Sequence, residues 1–244
     1  LSSYLLKKGL DVRSLDLLLY NNKICVEKKI EIKNYEFIHG DFRNLQVLNE
    51  SLNDVEVVVL LAGLVGDPIT KKYPNESKKI NYKGIQDTIL QISANKNIKK
   101  FIFISTCSNY GVLEEKIKAT EETVLNPVSD YSQAKVEAEK LIIKNYDKSK
   151  ENYILRFATA FGYSDRMRFD LTVNEFTREL YLQNKLTIFD KNSWRPYCHT
   201  SDFANVIFKL IDSNSLKTSL KILNVGSNLN NYTKNDIVGL LSNK

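Results

Sequence analysis

The chain has 244 residues, of which 43% are hydrophobic, and a formal net charge of +6. This length suits one large domain or one and a half, and no apolar run approaches the ~20 residues that span a membrane, so no membrane partner is expected. The lysines are scattered, which is typical of a solvated surface and favours no nucleic-acid partner. Three widely spaced cysteines and two histidines favour reduced thiols in a cytoplasm and argue against a disulfide framework or a metal site.

Hydrophobic patterning predicts alternating strands and helices in the first part of the chain. A near-continuous apolar run such as Phe101-Ile102-Phe103-Ile104 is typical of a parallel strand that is covered on both faces. The predicted elements are a helix at 1–10, a strand at 11–19, a polar loop at 21–33, a strand at 35–42, a helix at 45–52, a strand at 55–61, a helix at 75–95 and a strand at 100–105.

The same alternation continues in the second part. Pro127 precedes a helix that begins near Tyr131, and Asp130 is predicted to cap it. The whole pattern predicts an α/β fold with a doubly wound parallel sheet. The predicted elements are a loop at 121–131, a helix from 131 through 142, strands at 153–162 and 222–226, a helix at 204–213 and a helix that starts at 232.

Tyr131 and Lys135 form the candidate proton-transfer pair of the sequence. They lie four residues apart in a predicted helix, which puts the phenol and the ammonium on one face. A phenol has an ordinary pKa of about 10, and a nearby cation lowers that pKa by favouring the phenolate. Such a pair can transfer a proton near neutral pH, although the spacing alone is weak evidence in a chain rich in tyrosine and lysine.

The segment Ser105–Gly111 (STCSNYG) makes the pattern more specific, because it follows a predicted buried strand and places Thr106 25 residues before Tyr131. With Tyr131-x-x-x-Lys135, it resembles the extended short-chain dehydrogenase/reductases, the NAD-dependent epimerase/dehydratase group that acts on nucleotide sugars. The resemblance runs from about residue 10 to about residue 233. It implies a Thr106-Tyr131-Lys135 catalytic triad, NAD as the cofactor, a nucleotide-diphosphate sugar as the partner, and a Rossmann-like fold with a small C-terminal substrate-binding subdomain.

This resemblance also divides the chain into an NAD-binding Rossmann domain at 1–160 and a mixed substrate-binding region with returning Rossmann elements at 161–244. In Rossmann units an acidic residue about 20 positions after the glycine-rich fingerprint binds the ribose. Asp16 fits that position, with a solvated turn residue as the alternative interpretation. Counting back lands before residue 1, so we expect the first strand, its glycine-rich loop and a C-terminal segment to be absent from the given chain. Asp16 favours NAD over NADP, while the nearby Arg13 leaves NADP open.

Further cofactor contacts are implied where the predicted strands end. Asp41 and Phe42 match adenine-side positions, and the small residues of Leu61-Ala62-Gly63 let the backbone approach a cofactor. Asn81 matches a family asparagine, with capping or core hydrogen bonding as an equal alternative. The implied cofactor contacts are Asp16, Asp41, Phe42, Leu61, Ala62, Gly63, Asn81, Ser105, Tyr131, Lys135 and Phe157.

On the substrate side, the segment 194–202 (WRPYCHTSD) is similar to the family's Arg-x-Tyr-x-His-Val-x-Asp pattern, in which the arginine binds the nucleotide diphosphate. Arg168 and Asn174 lie in a segment similar to an arginine-rich loop of sugar-nucleotide enzymes, and guanidinium groups bind phosphates in a bidentate way. Surface or interface pairing is the alternative for Arg168. The implied substrate contacts are Cys107, Ser108, Thr159, Arg168, Asn174 and Arg195.

Cys107 and Ser108 bear on the type of reaction. The 4,6-dehydratases that this chain resembles carry Thr-Asp-Glu here, so dehydration by their route is disfavoured. We predict oxidation at sugar C4 by an epimerase or dehydrogenase, with a 4,6-dehydratase or a 4-keto reductase as alternatives. Cys107 is either an acid with a lowered pKa or a small buried hydrophobe. A non-catalytic NAD-binding regulatory or assembly protein is the alternative from another class, and the family implies a homodimer.

Overall fold

The computed structural model describes residues 1–20, 22–113, 117–183, 185–213 and 219–242, and only the main chain of Asp67. The strands are β1 Val12–Asp16, β2 Tyr35–His39, β3 Val57–Leu60, β4 Lys100–Thr106, β5 Glu151–Phe157, β6 Thr159–Phe161, β7 Trp194–His199, β8 Leu220–Val225 and β9 Asn231–Thr233. The helices are α1 Ser2–Lys7, α2 Ile24–Glu27, α3 Leu45–Ser51, α4 Asp67–Lys72, α5 Pro74–Ser77, α6 Ile85–Ala94, α7 Asp130–Asn145, α8 Thr172–Tyr181, α9 Thr200–Asp212 and α10 Lys234–Ser242.

Parallel strands build the centre of the molecule. β3, β4, β5 and β8 form one four-stranded sheet in that order, and β1 and β2 form a separate two-stranded sheet. All of these pairings are parallel, and helices lie between consecutive strands. The predicted α/β architecture is therefore confirmed.

The residues of β4 alternate between two hydrophobic clusters. Phe101 and Phe103 pack into one cluster with Ile89 and Ile142, which come from α6 and α7. Ile102 belongs to another cluster, which includes Phe203 from α9. Successive side chains of a strand point to opposite faces, so this division means that helices cover both faces of the sheet, as the unbroken apolar run predicts.

Past β5 the chain forms a second, smaller core. β6, β7 and β9 make a three-stranded sheet, and Phe176, Tyr197 and Ile237 are buried beside it. β8 returns to the four-stranded sheet and pairs with β5. The division at residues 160 and 161 stays a prediction, and residues 243 and 244 of its second part lie outside the described residues.

Several predicted boundaries are wrong for identifiable reasons. The first strand ends at Asp16 rather than 19, because Asp16 Oδ1 accepts a hydrogen bond from Leu18 N at 2.6 Å and Leu18 has a φ of 54°. The predicted loop 21–33 contains α2. Tyr232 and Thr233 belong to β9, which pairs with β7, and only this distant partner makes the segment a strand.

The predicted helix 75–95 is divided into three parts. α5 leads into a π-helical segment, Lys78–Gly84, and α6 follows it. π-helical turns are rare and occur frequently at functional sites. Here the segment carries Asn81, which is 6% exposed.

Candidate active site

The candidate site lies at the carboxyl ends of β4 and β5 and along the first turns of α7. β4 ends at Thr106 and β5 at Phe157, and the register pairs these two residues. Helix α7 contacts both β4 and the 3-10 turn Cys107–Tyr110 that follows β4. Open α/β sheets bind ligands at this edge, so the fold places Tyr131 and Lys135 of α7 near the edge where a ligand is expected.

Helix α7 begins with a capping box. Ser132 N donates to Ser129 Oγ at 3.3 Å, and Ser129 N donates to Ser132 Oγ at 3.1 Å. The prediction that Asp130 caps this helix is wrong, because Ser129 supplies the capping oxygen one residue earlier. Asp130 is instead the first helical residue, where a negative charge stabilises the helix dipole. The box fixes the turn that carries Tyr131.

Lys135 lies beneath this turn and is 8% exposed. Its Nζ donates to Ile104 O at 2.7 Å and lies 4.6 Å from the ring centre of Phe103 and 6.0 Å from that of Tyr131. Burial lowers the pKa of Lys135 to about 8, and the negative charge of Glu139 opposes this shift. The structure therefore provides the tyrosine with a nearby buried amine that titrates close to neutral pH.

Thr106 stands at the end of β4, two residues after the carbonyl that holds Lys135. Its Oγ1 accepts a hydrogen bond from Ser108 N at 3.2 Å and so caps the 3-10 turn. This contact fixes the hydroxyl at the strand end. The fold thus brings Thr106, Tyr131 and Lys135 to one edge of the sheet, while their catalytic roles stay a prediction.

A narrow cleft adjoins the tyrosine and the lysine. Small side chains from α7 and from the loop after β3 line much of it, and its volume is about 10 Å³. The lining residues are Ala62, Asn81, Ile85, Tyr131, Ala134, Lys135 and Ala138.

Among known sequence families, the NAD dependent epimerase/dehydratase family matches residues 1–226 of this chain. The chain belongs to this family. A UDP-glucose 4-epimerase of Lactobacillus helveticus is 29% identical over 140 residues, which cover 57% of this chain and 40% of the relative. An uncharacterised UDP-glucose epimerase of Bacillus subtilis is 31% identical over 155 residues, which cover 62% and 47%. The chain therefore spans less than half the length of these two relatives.

Solved structures agree with the family. UDP-glucuronic acid 4-epimerase from Bacillus cereus, in complex with UDP-glucuronic acid and NAD, has a TM-score of 0.85 and 24% identity; the match covers 99% of this chain and 77% of that one. dTDP-glucose 4,6-dehydratase from Bacillus anthracis, in complex with NAD, has a TM-score of 0.84 and 21% identity, with 99% and 76% covered. These likenesses confirm the predicted Rossmann-like fold of an epimerase/dehydratase family member.

Asp16 has the strand-end position that the family pattern requires. It is exposed at the end of β1, and its bond to Leu18 N makes it a turn residue as well. Arg13 is held elsewhere, because it pairs with Glu36 at 2.6 Å and donates to Asn53 O at 2.5 Å. These bonds weaken the case that Arg13 would accommodate a 2′-phosphate.

Asp41 follows β2, as predicted, but its carboxylate is engaged by its neighbour. Arg43 donates to both of its oxygens at 2.5–3.0 Å, and this hydrogen bonding holds the pKa of Asp41 below its ordinary value. Phe42 packs against the core cluster that contains Phe103. Cofactor contacts from Asp41 and Phe42 stay predictions.

The amide of Asn81 holds the loop after β3. Its Oδ1 accepts from Leu64 N at 2.8 Å and its Nδ2 donates to Leu64 O at 2.9 Å. Gly63 has a φ of +145°, and a Cβ there would lie 3.0 Å from Asn81 Oδ1. Asn81 therefore makes core hydrogen bonds, which is one of the roles that the sequence left open for it. Leu61 is 47% exposed and Ala62 lines the cleft, so this loop remains the candidate for main-chain contact with a cofactor.

Two of the predicted cofactor contacts have their side chains turned into the protein. Ser105 Oγ donates to Glu139 Oε1 at 2.5 Å. The ring of Phe157 stacks on Phe203 with 3.9 Å between the ring centres. A cofactor contact from either side chain stays a prediction that these bonds do not favour.

The amide of Asn174 also bonds to main chain. Its Oδ1 accepts from Gly162 N at 3.0 Å and its Nδ2 donates to Arg168 O at 3.1 Å, so it shapes the loop between them. Arg168 pairs with Asp170 at 2.6 Å. Hydrogen bonding to Asp170 raises the pKa of Arg168, and Tyr131 contributes to the same shift. The structure therefore brings Arg168 toward the site while giving it the surface pairing named as the alternative.

Arg195 lies exposed on β7 near the turn after β4. Burial raises the pKa of the Cys107 thiol, and the positive charge of Arg195 partly opposes that shift. Cys107 thus corresponds to a neutral thiol rather than an acid with a lowered pKa. Ser108 lies in the same turn, and its N donates to Thr106 Oγ1. Thr159 is half-buried at the start of β6.

Sequence reasoning missed Glu139, which the structure places beside the site. It lies four residues after Lys135, is 1% exposed and pairs with Arg156 at 2.8 Å. A carboxylate one helical turn after the candidate lysine, beside the apolar Ala138 and Ile142 of the same helix, is the signal that could have found it.

Across the described residues, no three His, Cys, Asp or Glu side chains are grouped so as to hold a metal ion. Within that same part of the chain, no helix has the length and apolar character needed to cross a membrane. Cys25, Cys107 and Cys198 are free thiols.

Proposed function

We propose that this protein is an NAD-dependent enzyme that oxidises a nucleotide-diphosphate sugar at C4, as an epimerase or a dehydrogenase. The observation that carries the proposal is the buried ammonium of Lys135, 6.0 Å from the ring centre of Tyr131, with Thr106 at the adjacent strand end. The relatives support the substrate class, because several are epimerases or dehydratases of UDP- or dTDP-sugars.

The residues at the sheet edge fit NAD. The exposed carboxylate of Asp16 at the end of β1 suits ribose hydroxyls, and the loop at Gly63 brings main chain rather than side chain to the edge. Asp41 and Asn81 would lie near the cofactor without giving it their side-chain polar groups, since those groups already bond to Arg43 and Leu64. Phe42 would offer only its apolar ring. When bound, NAD supplies a hydride acceptor, and the protein supplies orientation and electrostatics.

The chain's own residues would handle the proton. Tyr131, as a phenolate, takes the proton of the sugar hydroxyl that is being oxidised. The ammonium of Lys135 favours that phenolate by its charge. The hydroxyl of Thr106, fixed by Ser108 N, donates to or accepts from the same sugar oxygen and so positions it.

The pair Cys107 and Ser108 favours oxidation at C4 over dehydration. Removing water from the sugar requires a group to protonate the leaving hydroxyl and a base for the adjacent carbon. Burial raises the pKa of Cys107, and a serine hydroxyl is a poor acid at neutral pH. A 4,6-dehydratase and a 4-keto reductase remain the alternative activities within the family.

We propose that residues 161–244 form most of the substrate side, with β8 returning to the sheet of the 1–160 domain. Arg195, exposed on β7, would bind the diphosphate, and Arg168 would join it by exchanging Asp170 for a phosphate. Asn174 would act by shaping the loop that carries Arg168. Thr159 and Ser108 complete the proposed sugar contacts.

A homodimer in the cytoplasm completes the proposal. A groove of about 590 Å³ runs along α7 and reaches Glu139 and Arg156 at its base, and Ile143 at that groove is 43% exposed. A second copy could cover this apolar side chain. The free thiols of Cys25, Cys107 and Cys198 suit a reducing compartment.

The test uses the protein expressed from its complete reading frame, with NAD and a panel of UDP-, GDP-, CDP- and dTDP-sugars. Absorbance follows NADH and NMR follows the sugar. Tyr131→Phe should lower turnover by about 10²–10⁴-fold. The matched control Tyr181→Phe removes a phenol that is 86% exposed and should have wild-type activity.

Each outcome identifies one reaction class. An epimerised sugar without net NADH establishes an epimerase, and NADH with a ketosugar establishes a dehydrogenase. A 4-keto-6-deoxy product would overturn the interpretation of Cys107 and Ser108. Bound NAD without turnover of any sugar would favour a non-catalytic role.

A further inference from the structure

A buried ion pair lies directly beneath the end of β4. Glu139 of α7 is 1% exposed and Arg156 of β5 is 4% exposed. Arg156 Nη2 donates to Glu139 Oε2 at 2.8 Å, and Arg156 Nε lies 3.2 and 3.3 Å from the two carboxylate oxygens. Bidentate pairs of this kind fix direction as well as distance.

The same carboxylate binds the chain on both sides of Thr106. Ser105 Oγ donates to Glu139 Oε1 at 2.5 Å, and Asn109 Nδ2 donates to it at 2.7 Å. Asn109 also donates to Ser105 Oγ at 3.0 Å. Ser105 precedes Thr106 in β4 and Asn109 lies in the turn after it, so Glu139 fastens the segment that presents the threonine.

Arg156 connects this carboxylate to β8, the strand that pairs with β5. Its Nη1 donates to Tyr110 OH at 2.9 Å and to Glu121 O at 3.0 Å. Tyr110 OH in turn donates to Asn224 Oδ1 at 2.6 Å, which lies on β8. Burial lowers the pKa of Arg156, but the bonds to Glu139 and Tyr110 outweigh this and raise it above its ordinary value, which favours the charged guanidinium.

We propose that Glu139 is a positioning residue for the reaction, because its carboxylate holds the strand end with Thr106 against the turn of α7 with Tyr131 and Lys135 and places a negative charge one turn from the ammonium. The inference rests on the proposed function. Residues four apart share a helix face, and charges interact strongly where water is excluded. Glu139 therefore acts on the site through both geometry and charge, without touching the substrate.

The charge of Glu139 bears on the protonation of Lys135. Around the ammonium lie Tyr131 and Glu139 from α7, Phe103 and the Ile104 carbonyl from β4, and Asn81 across the cleft from the π-helical segment. Burial lowers the pKa of Lys135 to about 8 and Glu139 opposes that. Neutralising Glu139 leaves burial unopposed and Arg156 uncompensated, and both effects lower that pKa further.

The test compares Glu139→Gln, which keeps length and loses charge, with Glu139→Asp, which keeps charge and loses reach. Glu139→Gln should lower kcat about 10–100-fold, leave KM for the sugar nucleotide within about threefold, and move the alkaline limb of the kcat profile to lower pH. Glu139→Asp should lower kcat while the limb stays in place. A limb that is unmoved in Glu139→Gln, or a loss confined to KM, would overturn the proposal.

Two further measurements keep the test decisive. Ser105→Ala removes the link to β4 while the ion pair stays intact, so it should fold and should lower kcat severalfold without changing KM; wild-type kcat would count against positioning. Lysine ¹⁵N NMR, with Lys135 assigned by its loss in Lys135→Met, should show a lower Lys135 pKa in Glu139→Gln. This titration needs no turnover, so it decides the coupling between Glu139 and Lys135 even if the proposed function fails.

Discussion

Two buried lysines of this protein have nearly the same exposure and opposite surroundings. Lys150, at the start of β5, is 5% exposed and Lys135 is 8% exposed. Lys150 Nζ donates to the carbonyls of Ile92, Ser93 and Asn95 at 2.7–3.0 Å, at the C-terminal end of α6. Among the described residues, Lys135 Nζ donates a hydrogen bond to Ile104 O at 2.7 Å.

The difference separates a lysine that completes a helix end from one that lies beside the candidate tyrosine. Three carbonyls match the three protons of an ammonium, and a helix C-terminus attracts a positive charge, so Lys150 completes a helix end. Lys100 does the same at the end of α9, where it donates to the carbonyls of Leu210, Ile211 and Ser213. Lys135 instead lines the cleft and lies 6.0 Å from the ring centre of Tyr131, where the proposed function gives its charge a role.

The largest effect should come from Lys135→Met. This substitution removes the charge beside Tyr131, so kcat should fall about 10²–10⁴-fold, while the free energy of unfolding should hold or rise because a buried charge disappears. Steady-state kinetics and urea unfolding measure both quantities. A variant that loses stability and activity in proportion would show that Lys135 is as structural as Lys150.

Lys150→Met should lower the stability and leave turnover nearly unchanged, which is the converse of Lys135→Met. Loss of three charged hydrogen bonds should lower the free energy of unfolding by about 2–4 kcal/mol, because the carbonyls at the end of α6 lose their donors. Turnover measured well below the unfolding temperature should stay within about threefold of wild type. If turnover fell like that of Lys135→Met at unchanged stability, the comparison would fail.

A smaller effect should appear in the pH dependence of stability. The pKa of Lys135 is about 8 in the folded protein and 10.5 ordinarily, so above about pH 8 the unfolded chain binds more protons and stability rises with pH. Between about pH 7.5 and 9.5 the free energy of unfolding of wild type should gain about 2 kcal/mol relative to Lys135→Met. Urea titrations of the two proteins across this range would check the gain. A constant difference would mean that Lys135 is not desolvated.

The site could be predicted in part from spacing alone. Tyr131 and Lys135 share one helix, so their proximity follows from helical geometry, and Thr106 follows a buried strand whose end must lie at the ligand-binding edge. Asn81, Asn174 and Ser105 could not be predicted in the same way, because their polar groups bond to Leu64, Arg168 and Glu139, which are 6 to 34 residues away along the chain.

By itself the sequence determined the alternation of strands and helices, the coverage of the sheet on both faces and the Tyr131–Lys135 pair. These depend on periodicity and local spacing, which each segment carries within itself. Only the tertiary structure decided that β9 is a strand and that Glu139 joins β4 to the helix of the candidate triad. Each of these depends on a partner that folding brings close, because a buried polar group is stable only where it has a hydrogen-bond partner.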